Sequence, residues 1–233
     1  MTSTTLMLTR PRSSAQAFVD SLSQQAVAAV DIVIAPLMEI VVTNAVLDLT
    51  GVRSVIFTSA NGVHHGPEGQ GRIAFCVGAQ TTDAAQKRGW IATQAGDTAG
   101  ELIATLIAQQ PKGPALHLGG EHTRGDIAQK LSQCGIETRH VAIYAQKLVS
   151  LDADGQQALN GPCIIPVFSP RTGQQLAQQA QGRLQNAHIV ALSDAVAAPL
   201  LGQKVAQMQI LPAPRSGYMR KAVEILCLDL TLP

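Results

Sequence analysis

The sequence predicts an α/β fold of two similar domains, each with a parallel sheet flanked by helices. Short apolar runs alternate with amphipathic helical stretches, which is typical of parallel strands covered on both faces. The chain also resembles itself, because Ser54–Val63 is matched by Cys163–Gly173 roughly 110 residues later. A repeat of that length is domain-sized and far exceeds the repeats of solenoids. A chain of 233 residues has room for two such domains.

The apolar runs place the strands, and the amphipathic segments between them place the helices. The predicted strands are, in chain order, Thr5–Thr9, Val30–Ala35, Ser54–Thr58, Arg72–Val77, Ala115–Leu118, Val141–Tyr144, Cys163–Phe168 and Ile189–Leu192. The clearest predicted helices are Ala15–Ser23, Gly125–Cys134 and Gly173–Ala180.

Cap residues mark several helix boundaries. Thr98 and Glu101 fit a capping box, in which the hydroxyl accepts one free N–H and the carboxylate reaches back to another. Ser169 is placed to cap a helix that begins with Pro170, a position where proline is well tolerated. Pro199 should bend or end the short helix in which it lies.

Composition excludes several functional classes. A net charge of +1 and a pI near 7.7 argue against a nucleic-acid or membrane-surface protein, which would need a strongly basic face. No apolar run is long enough to span a membrane, and the first residues lack the order of a secretory signal. The four cysteines form no C-x-x-C pair and predict reduced thiols. We therefore expect a cytoplasmic protein.

Small polar residues and arginines follow several predicted strands. Ligands of doubly wound sheets bind beyond the carboxyl ends of the strands, where helix N-termini offer free N–H groups to anions. These tips are Thr9–Arg12, Thr58–Gly62, Gly78–Thr82, Ser169–Thr172 and Ser193–Asp194. They suit a carboxylated or phosphorylated ligand, although helix caps use the same residue types. No Gly-rich nucleotide-binding motif is present, so a nucleotide is not expected.

The histidines are poorly spaced for a metal. His117 and His122 flank a Gly-Gly-Glu segment, and His64 is adjacent to His65. Neither pair has the helical i, i+4 spacing of a zinc site with a carboxylate beside it. The chain contains no G-x-S-x-G elbow, so a serine hydrolase is not predicted. We expect no metal and no other cofactor.

Tyr144 is one of two tyrosines and ends a predicted strand where the second half of the chain begins. Two roles are open to it. It could be a packing residue, or its phenol could donate a proton to a bound ligand.

A series of motifs along nearly the whole chain carries a family resemblance. In order they read LTRPR, IAPLMEI, VIFTSANGV, CVGAQTTDAAQKRG, TRGDIAQKLSQCG, VAIYAQKL, VFSPRTG and ALSDAV. Together they resemble the uroporphyrinogen-III synthase family, whose members close a linear tetrapyrrole in haem biosynthesis.

The resemblance implies how the two domains are connected. One domain would comprise residues 1–35 and 148–233, and residues 36–147 would form the other. Two crossing strands, at Pro36–Glu39 and Tyr144–Lys147, would join them, so the two copies would exchange their opening β–α units. The cleft between the domains would bind hydroxymethylbilane, a substrate with many carboxylates and a labile hydroxyl.

The implied reaction needs few protein groups. Loss of the hydroxyl as water gives an azafulvene, and a spiro intermediate then recloses with the terminal pyrrole inverted. Because the substrate cyclises unaided to the symmetric isomer, the enzyme must chiefly fold the chain and protonate the leaving hydroxyl. A monomer without a cofactor would suffice. Association with the preceding pathway enzyme would protect so unstable a substrate.

The resemblance also assigns site residues. It implies that Tyr144 is the proton donor. The implied loop-tip contacts to substrate are Ser59, Asn61, Thr81, Ser169 and Ser193. The arginines that could meet substrate carboxylates are Arg10, Arg12, Arg124 and Arg171.

The chain departs from the family pattern at three places. Gly119-Gly120 stands where the family often has an Arg-Gly pair. The usual Thr of the last tip is replaced by Ala195 or Val196, and Pro199 interrupts the helix beyond it. These departures bear on substrate contacts rather than on the fold.

A different class of function shares many of these features. A non-enzymatic two-domain protein that binds a small anionic ligand would have the same α/β halves, double crossing and polar tips. The lack of a secretory signal and of an aromatic-lined clamp argues against it.

The histidine spacing generates a first prediction. Turnover of hydroxymethylbilane should be unchanged after dialysis against EDTA, because no histidine cluster has the geometry of a zinc site. The measurement is the rate of type III product before and after chelation. Loss of activity that zinc restores would contradict it.

Overall fold

A computed structural model of the chain describes residues 3–122 and 125–230. It divides into two compact units. Unit 1 comprises Met1–Glu39 with Lys147–Pro233, and unit 2 comprises Ile40–Gln146. No described helix has both the length and the apolar character needed to cross a bilayer.

The elements of the described residues alternate between strand and helix along most of the chain. The strands are β1 (Thr5–Leu8), β2 (Asp31–Ile34), β3 (Met38–Val42), β4 (Ser54–Phe57), β5 (Ile73–Val77), β6 (Ile91–Gly96), β7 (Ala115–Gly120), β8 (Thr138–Leu148), β9 (Cys163–Val167), β10 (Ala187–Ala191) and β11 (Gln207–Ile210). The helices are α1 (Arg12–Asp20), α2 (Gln24–Ala29), α3 (Ala60–His65), α4 (Ala79–Lys87), α5 (Ala99–Gln109), α6 (Ile127–Gln133), α7 (Ala153–Ala158), α8 (Pro170–Ala180), α9 (Asp194–Ala197) and α10 (Ser216–Asp229).

Unit 1 is a parallel sheet with a helical layer on each face. Its strand order is β11-β10-β9-β1-β2. Side chains alternate between the two faces along each strand. Met7 and Ile165 pack in the layer formed with α7, α8 and α9, whereas Leu6 and Ile164 pack in the layer formed with α1, α2 and α10. Burial on both faces explains why these strands read as continuous apolar runs.

Unit 2 has the same layered design, with the strand order β3-β8-β7-β4-β5-β6. The pairs from β8 to β6 are parallel. Phe57 and Leu118 pack on the face covered by α3 and α4, and Ile56 and Ala115 pack on the face covered by α5 and α6. The predicted α/β class with helix-flanked parallel sheets is therefore confirmed.

The chain passes from unit 1 to unit 2 along β3 and returns along β8. Thr43 donates its N–H to the Ile143 carbonyl, and Val149 donates its N–H to the Leu37 carbonyl. Because these contacts run in opposite chain directions, β3 and β8 are antiparallel. The predicted strand Val141–Tyr144 was too short, since β8 continues to Leu148. Tyr144 thus lies within a strand and does not end one.

Three strands were not among the predicted ones. β3 lies in the segment interpreted as a crossing, β6 carries the polar sequence IATQAG, and β11 is four residues long. β6 and β11 lie at sheet edges, where one side of the strand faces solvent and the apolar pattern is weak. Pro199 lies in a 3-10 turn, Ala198–Leu200, that ends α9 as predicted.

The predicted caps are present, with one difference. Ser169 accepts the Thr172 N–H at 3.2 Å and is followed by the predicted proline. Thr98 accepts the Glu101 N–H at 3.2 Å. The Glu101 carboxylate accepts the N–H of Asp97 at 2.7 Å, whereas a capping box would use the N–H of Thr98.

None of the four cysteines forms a disulfide. Burial raises the pKa of Cys76 to about 11 and the pKa of Cys163 to about 12. It also raises the pKa of Cys227 to about 11, with the Glu224 carboxylate as a further cause. These three thiols are therefore protonated at neutral pH and are poor nucleophiles.

A histidine pair lies on the α5–α6 face of unit 2, where His117 is buried and His140 is partly buried. His117 and His140 are register partners on β7 and β8, with ring centroids 4.9 Å apart. His117 Nε2 lies 3.4 Å from the Thr58 hydroxyl, and both rings border a cavity of about 200 Å³ that Asp126 also lines. Burial, with the neighbouring His140, lowers the pKa of His117 to about 4. Burial also lowers the pKa of His140, although a hydrogen bond to the Gly120 backbone acts in the opposite direction.

The histidine pair predicts acid sensitivity of unit 2. Its lowered pKa values mean that the unfolded chain binds these protons more readily, so stability is lost as the pH falls from 6.5 towards about 4. The loss due to His117 should be on the order of 2–3 kcal/mol. The measurement is urea unfolding at several pH values, followed by the fluorescence of Trp90, the single, buried tryptophan, which lies in unit 2.

The matched variants are His117→Gln, which should flatten the pH dependence, and His122→Gln at an exposed position, which should not. An unchanged pH dependence in His117→Gln would show that His117 does not set the acid sensitivity.

Candidate functional site

The phenol of Tyr144 contacts a serine at the start of a helix. Its hydroxyl lies 3.1 Å from Ser59 Oγ, and the whole residue is only 7% exposed. Ser59 follows β4 and caps α3, where its Oγ accepts the Gly62 N–H at 3.4 Å. A serine hydroxyl has one proton to donate besides its lone pairs. Ser59 can therefore donate to the Tyr144 oxygen and leave the phenol proton available for another acceptor.

A β-bulge aims Tyr144 at Ser59. On β7 and β8, Gly119 pairs with Ala142 and Gly120 pairs with Tyr144, so Ile143 is an extra residue. Because side chains alternate faces, this insertion moves Tyr144 to the other side of the sheet. Tyr144 accordingly packs in the core that includes Phe57, on the α3 side. Without the bulge, the phenol would point to the side of α5 and α6.

A histidine ring adjoins the phenol. The centroids of His65, at the end of α3, and Tyr144 are 5.9 Å apart with an interplanar angle of 43°. Burial lowers the pKa of His65 below 6.5, and the positive charges of His64 and Arg88 contribute. The imidazole is therefore mainly neutral at pH 7, so it adds little charge beside the phenol.

Arg88 fixes the end of α3 that carries His65. Its guanidinium pairs with Glu68, with Nη2 and Oε1 2.7 Å apart. Nη1 donates to the carbonyls of Val63 and His64 at 3.2 and 2.5 Å. The Val63 carbonyl also accepts the Gly66 N–H at 3.3 Å, and the guanidinium adds a donor to both carbonyls at the helix end. Because Glu68 is largely exposed, the ion pair contributes little stability, and the main effect is on position.

Unit 1 holds an arginine in place at the carboxyl end of its sheet. The guanidinium of Arg10, just beyond β1, lies 4.2 Å from the ring centroid of Phe168. Phe168 in turn packs edge-on against Phe18 at 5.3 Å. Burial lowers the pKa of Arg10, but arginine remains cationic at neutral pH. The stacked cation can bind a carboxylate.

The predicted contacts of unit 1 lie at one edge of its sheet. β9 lies between β1 and β10, so the residues that follow these strands are neighbours: Arg10, Ser169 and Ser193. Arg171 is partly buried in the first turn of α8. Arg12 is the first residue of α1 and is exposed.

The predicted contacts of unit 2 are less uniform. The structure brings Ser59 and Tyr144 into contact and places Asn61 in the first turn of α3. Thr81 lies inside α4 and is only 5% exposed, so it faces the protein interior and is not at an open loop tip. Arg124 lies outside the described residues.

Sequence reasoning missed two neighbours of the phenol. The sequence marks His65 only as one of an adjacent histidine pair, and Gly120 only as part of the Gly-Gly pair that differs from the family pattern. Their contacts with Tyr144 depend on the bulge in β8, which no local sequence pattern marks. Within the described ranges, no group of three or more His, Cys, Asp or Glu residues is placed to hold a metal ion.

Comparison with known proteins identifies the family. The family model described as uroporphyrinogen-III synthase HemD matches residues 20–216. The crystal structure of uroporphyrinogen-III synthetase from Helicobacter pylori is similar with a TM-score of 0.66 and 18% identity, over 97% of this chain and 99% of that chain.

Two crystal structures of uroporphyrinogen III synthase from the extremely thermophilic bacterium Thermus thermophilus also match. A mutant form has a TM-score of 0.47 and 14% identity over 98% of this chain and 100% of that chain. The wild type has a TM-score of 0.43 and 16% identity over 99% and 100%. No curated protein sequence matches the chain. Since the family model covers most of its residues, this chain belongs to the uroporphyrinogen-III synthase family.

Proposed function

We propose that this chain is a uroporphyrinogen-III synthase, which cyclises hydroxymethylbilane to uroporphyrinogen III with loss of water and inversion of the terminal pyrrole. The observation that carries the proposal is the family match over residues 20–216. The Tyr144–Ser59 pair supports it, because the reaction needs a positioned proton donor and this phenol has a hydrogen-bond partner that leaves its own proton available.

In the proposed reaction, Tyr144 gives its proton to the leaving hydroxyl of the bilane, which departs as water. The C–O bond breaks with its electron pair on oxygen, and a cationic azafulvene remains. The phenolate left behind accepts the hydroxyl proton of Ser59 in a hydrogen bond, which lowers its energy as charge develops. The substituted carbon of the terminal pyrrole attacks, and the spiro intermediate fragments and recloses. The proton lost in the last step returns to the phenolate.

The proposed binding groups match the chemistry of the substrate. Arg10 offers a carboxylate a cation that is already held in place by Phe168, so little conformational entropy is lost on binding. Arg12 and Arg171 would meet further carboxylates, and the proposed polar contacts are Ser59, Asn61, Thr81, Ser169 and Ser193. Of these, Thr81 would need to become accessible, since it is buried. Arg124 stays a proposed contact on sequence grounds alone.

The remaining proposals concern organisation. We propose that residues 1–35 with 148–233 form one domain and that residues 36–147 form the other. The enzyme would act as a cytoplasmic monomer without a cofactor, and instability of the bilane favours association with the enzyme that supplies it.

Product analysis tests the proposed function directly. Purified protein should convert freshly generated hydroxymethylbilane to the type III isomer at a rate above the spontaneous reaction. The products are oxidised and the isomers separated by chromatography. Formation of type I alone, at the rate of the uncatalysed reaction, would favour a binding protein for an anionic ligand instead.

Loss of the phenol should slow the reaction. Tyr144→Phe should lower kcat by about 10- to 100-fold, at the low end of the range for a general acid, because the hydroxyl leaves easily and water can replace the donor. KM should change little. The measurement is the initial rate of type III formation, corrected for spontaneous closure.

Tyr218→Phe is the matched control, since Tyr218 is the other tyrosine and is exposed on α10. Equal thermal midpoints would establish that the variants fold. If Tyr144→Phe is as active as the parent, Tyr144 is a packing residue only.

A further inference from the structure

The ring of Tyr144 lies directly on the backbone of Gly120. A methyl group built on Gly120 would be 2.7 Å from Cε2, 3.0 Å from Cζ and 3.3 Å from the hydroxyl oxygen of Tyr144. These distances are shorter than ordinary van der Waals contacts, which begin near 3.5 Å. The crowded atoms are those of the hydroxyl end of the ring, so any side chain at residue 120 would displace the hydroxyl.

The backbone around this contact is held in place, so a side chain at residue 120 would displace the ring of Tyr144. The carbonyl of Tyr144 accepts the Glu121 N–H at 2.9 Å, which ties the two strands together just beyond the bulge. Gly120 does not have a positive φ, so alanine can adopt its backbone conformation. A substitution at residue 120 is therefore expected to act on the ring of Tyr144 and to leave the main chain in place.

Ser59 cannot follow a displaced phenol. α3 packs so closely on β7 that a Cβ on Gly62 would be 2.8 Å from the Leu118 carbonyl oxygen. The end of the same helix is held by Arg88 through the carbonyls of Val63 and His64. With α3 held at Gly62 and at its C-terminal end, a shift of the phenol lengthens its 3.1 Å contact with Ser59.

We propose that Gly120 is a positioning residue for proton donation: the bare backbone at residue 120, together with the bulge in β8, lets the Tyr144 hydroxyl reach Ser59. This inference rests on the proposed function, in which Tyr144 is the proton donor. A methyl group added at residue 120 would meet the ring of Tyr144, so the effect of the substitution on the reaction runs through Tyr144.

A double-mutant cycle tests this dependence. Gly120→Ala should lower kcat by about 10-fold or more and leave KM within about 2-fold, since the ground-state contacts of the substrate are retained. In the Tyr144→Phe background, Gly120→Ala should have little further effect, because residues that act as one unit are not additive. Gly100→Ala is the matched control: it lies in α5 of the same unit, and its nearest neighbour would be 3.8 Å from the new methyl group.

A spectroscopic measurement follows the ring itself. With ring-labelled tyrosine, NMR gives signals from only two residues, and Tyr218→Phe assigns them. Gly120→Ala should shift the Tyr144 signals and weaken the nuclear Overhauser effect between the rings of Tyr144 and His65. Gly100→Ala should leave both unchanged. This readout does not depend on enzymatic activity.

The outcomes separate this inference from the proposed function. Unchanged kcat and unchanged Tyr144 signals in Gly120→Ala overturn the positioning role, as does an equal loss of kcat in the parent and Tyr144→Phe backgrounds. Full activity of Tyr144→Phe overturns both this role and that of Tyr144. A parent that forms no type III product overturns the proposed function, while the NMR comparison still decides whether Gly120 holds the ring.

Thermal unfolding covers the case in which Gly120→Ala does not fold. Gly120→Ala with Tyr144→Ala should then regain a cooperative transition, because the new methyl group occupies space that the ring vacates. If Tyr144→Ala alone folds and this double variant does not, residue 120 does not act through the ring, and the inference is wrong.

Discussion

The close packing of α3, β7 and β8 is the constraint on which the candidate site of unit 2 depends. Gly62 lets the helix approach the Leu118 carbonyl, and Gly120 lets the phenol lie on the strand. Between these two contacts, Tyr144 and Ser59 are held 3.1 Å apart. Neither close approach leaves room for a side chain. Two glycines therefore fix the distance between the hydroxyl groups of Tyr144 and Ser59. Interiors pack densely enough to transmit such small displacements.

The bulge in β8 also decides which chemistry the phenol meets. On the α5–α6 face it would lie on the same side of the sheet as His117 and His140, whose imidazoles border a cavity. On the α3 face it meets a serine hydroxyl that is already oriented by a helix N–H. The α5–α6 face offers mostly neutral imidazoles, which are proton acceptors. The α3 face offers the Ser59 hydroxyl, which can donate a hydrogen bond to a developing phenolate. A proton donor gains from the second, because stabilising its conjugate base makes the transfer easier.

Much of the fold could be predicted because parallel strands that are buried on both faces have continuous apolar sequences, as in Ser54–Phe57 and Cys163–Val167. The polar edge strands β6 and β11 lack that pattern. The site was only partly predictable. Ser59 and Tyr144 were each singled out, but they are 85 residues apart, and their contact depends on one extra residue in a strand. Register irregularities arise from pairing between strands, so no local sequence pattern contains them.

Of the pair Gly119-Gly120, only Gly119 differs from the family pattern. The resemblance predicts an Arg-Gly pair, so the residue that differs is Gly119, and residue 120 is the expected glycine. Gly119 pairs with Ala142 before the bulge, whereas Gly120 pairs with Tyr144 after it. What the chain loses is an arginine that could bind a carboxylate, and what it keeps is the bare backbone under the phenol. The change therefore removes a cation from unit 2 and leaves the support of Tyr144 intact.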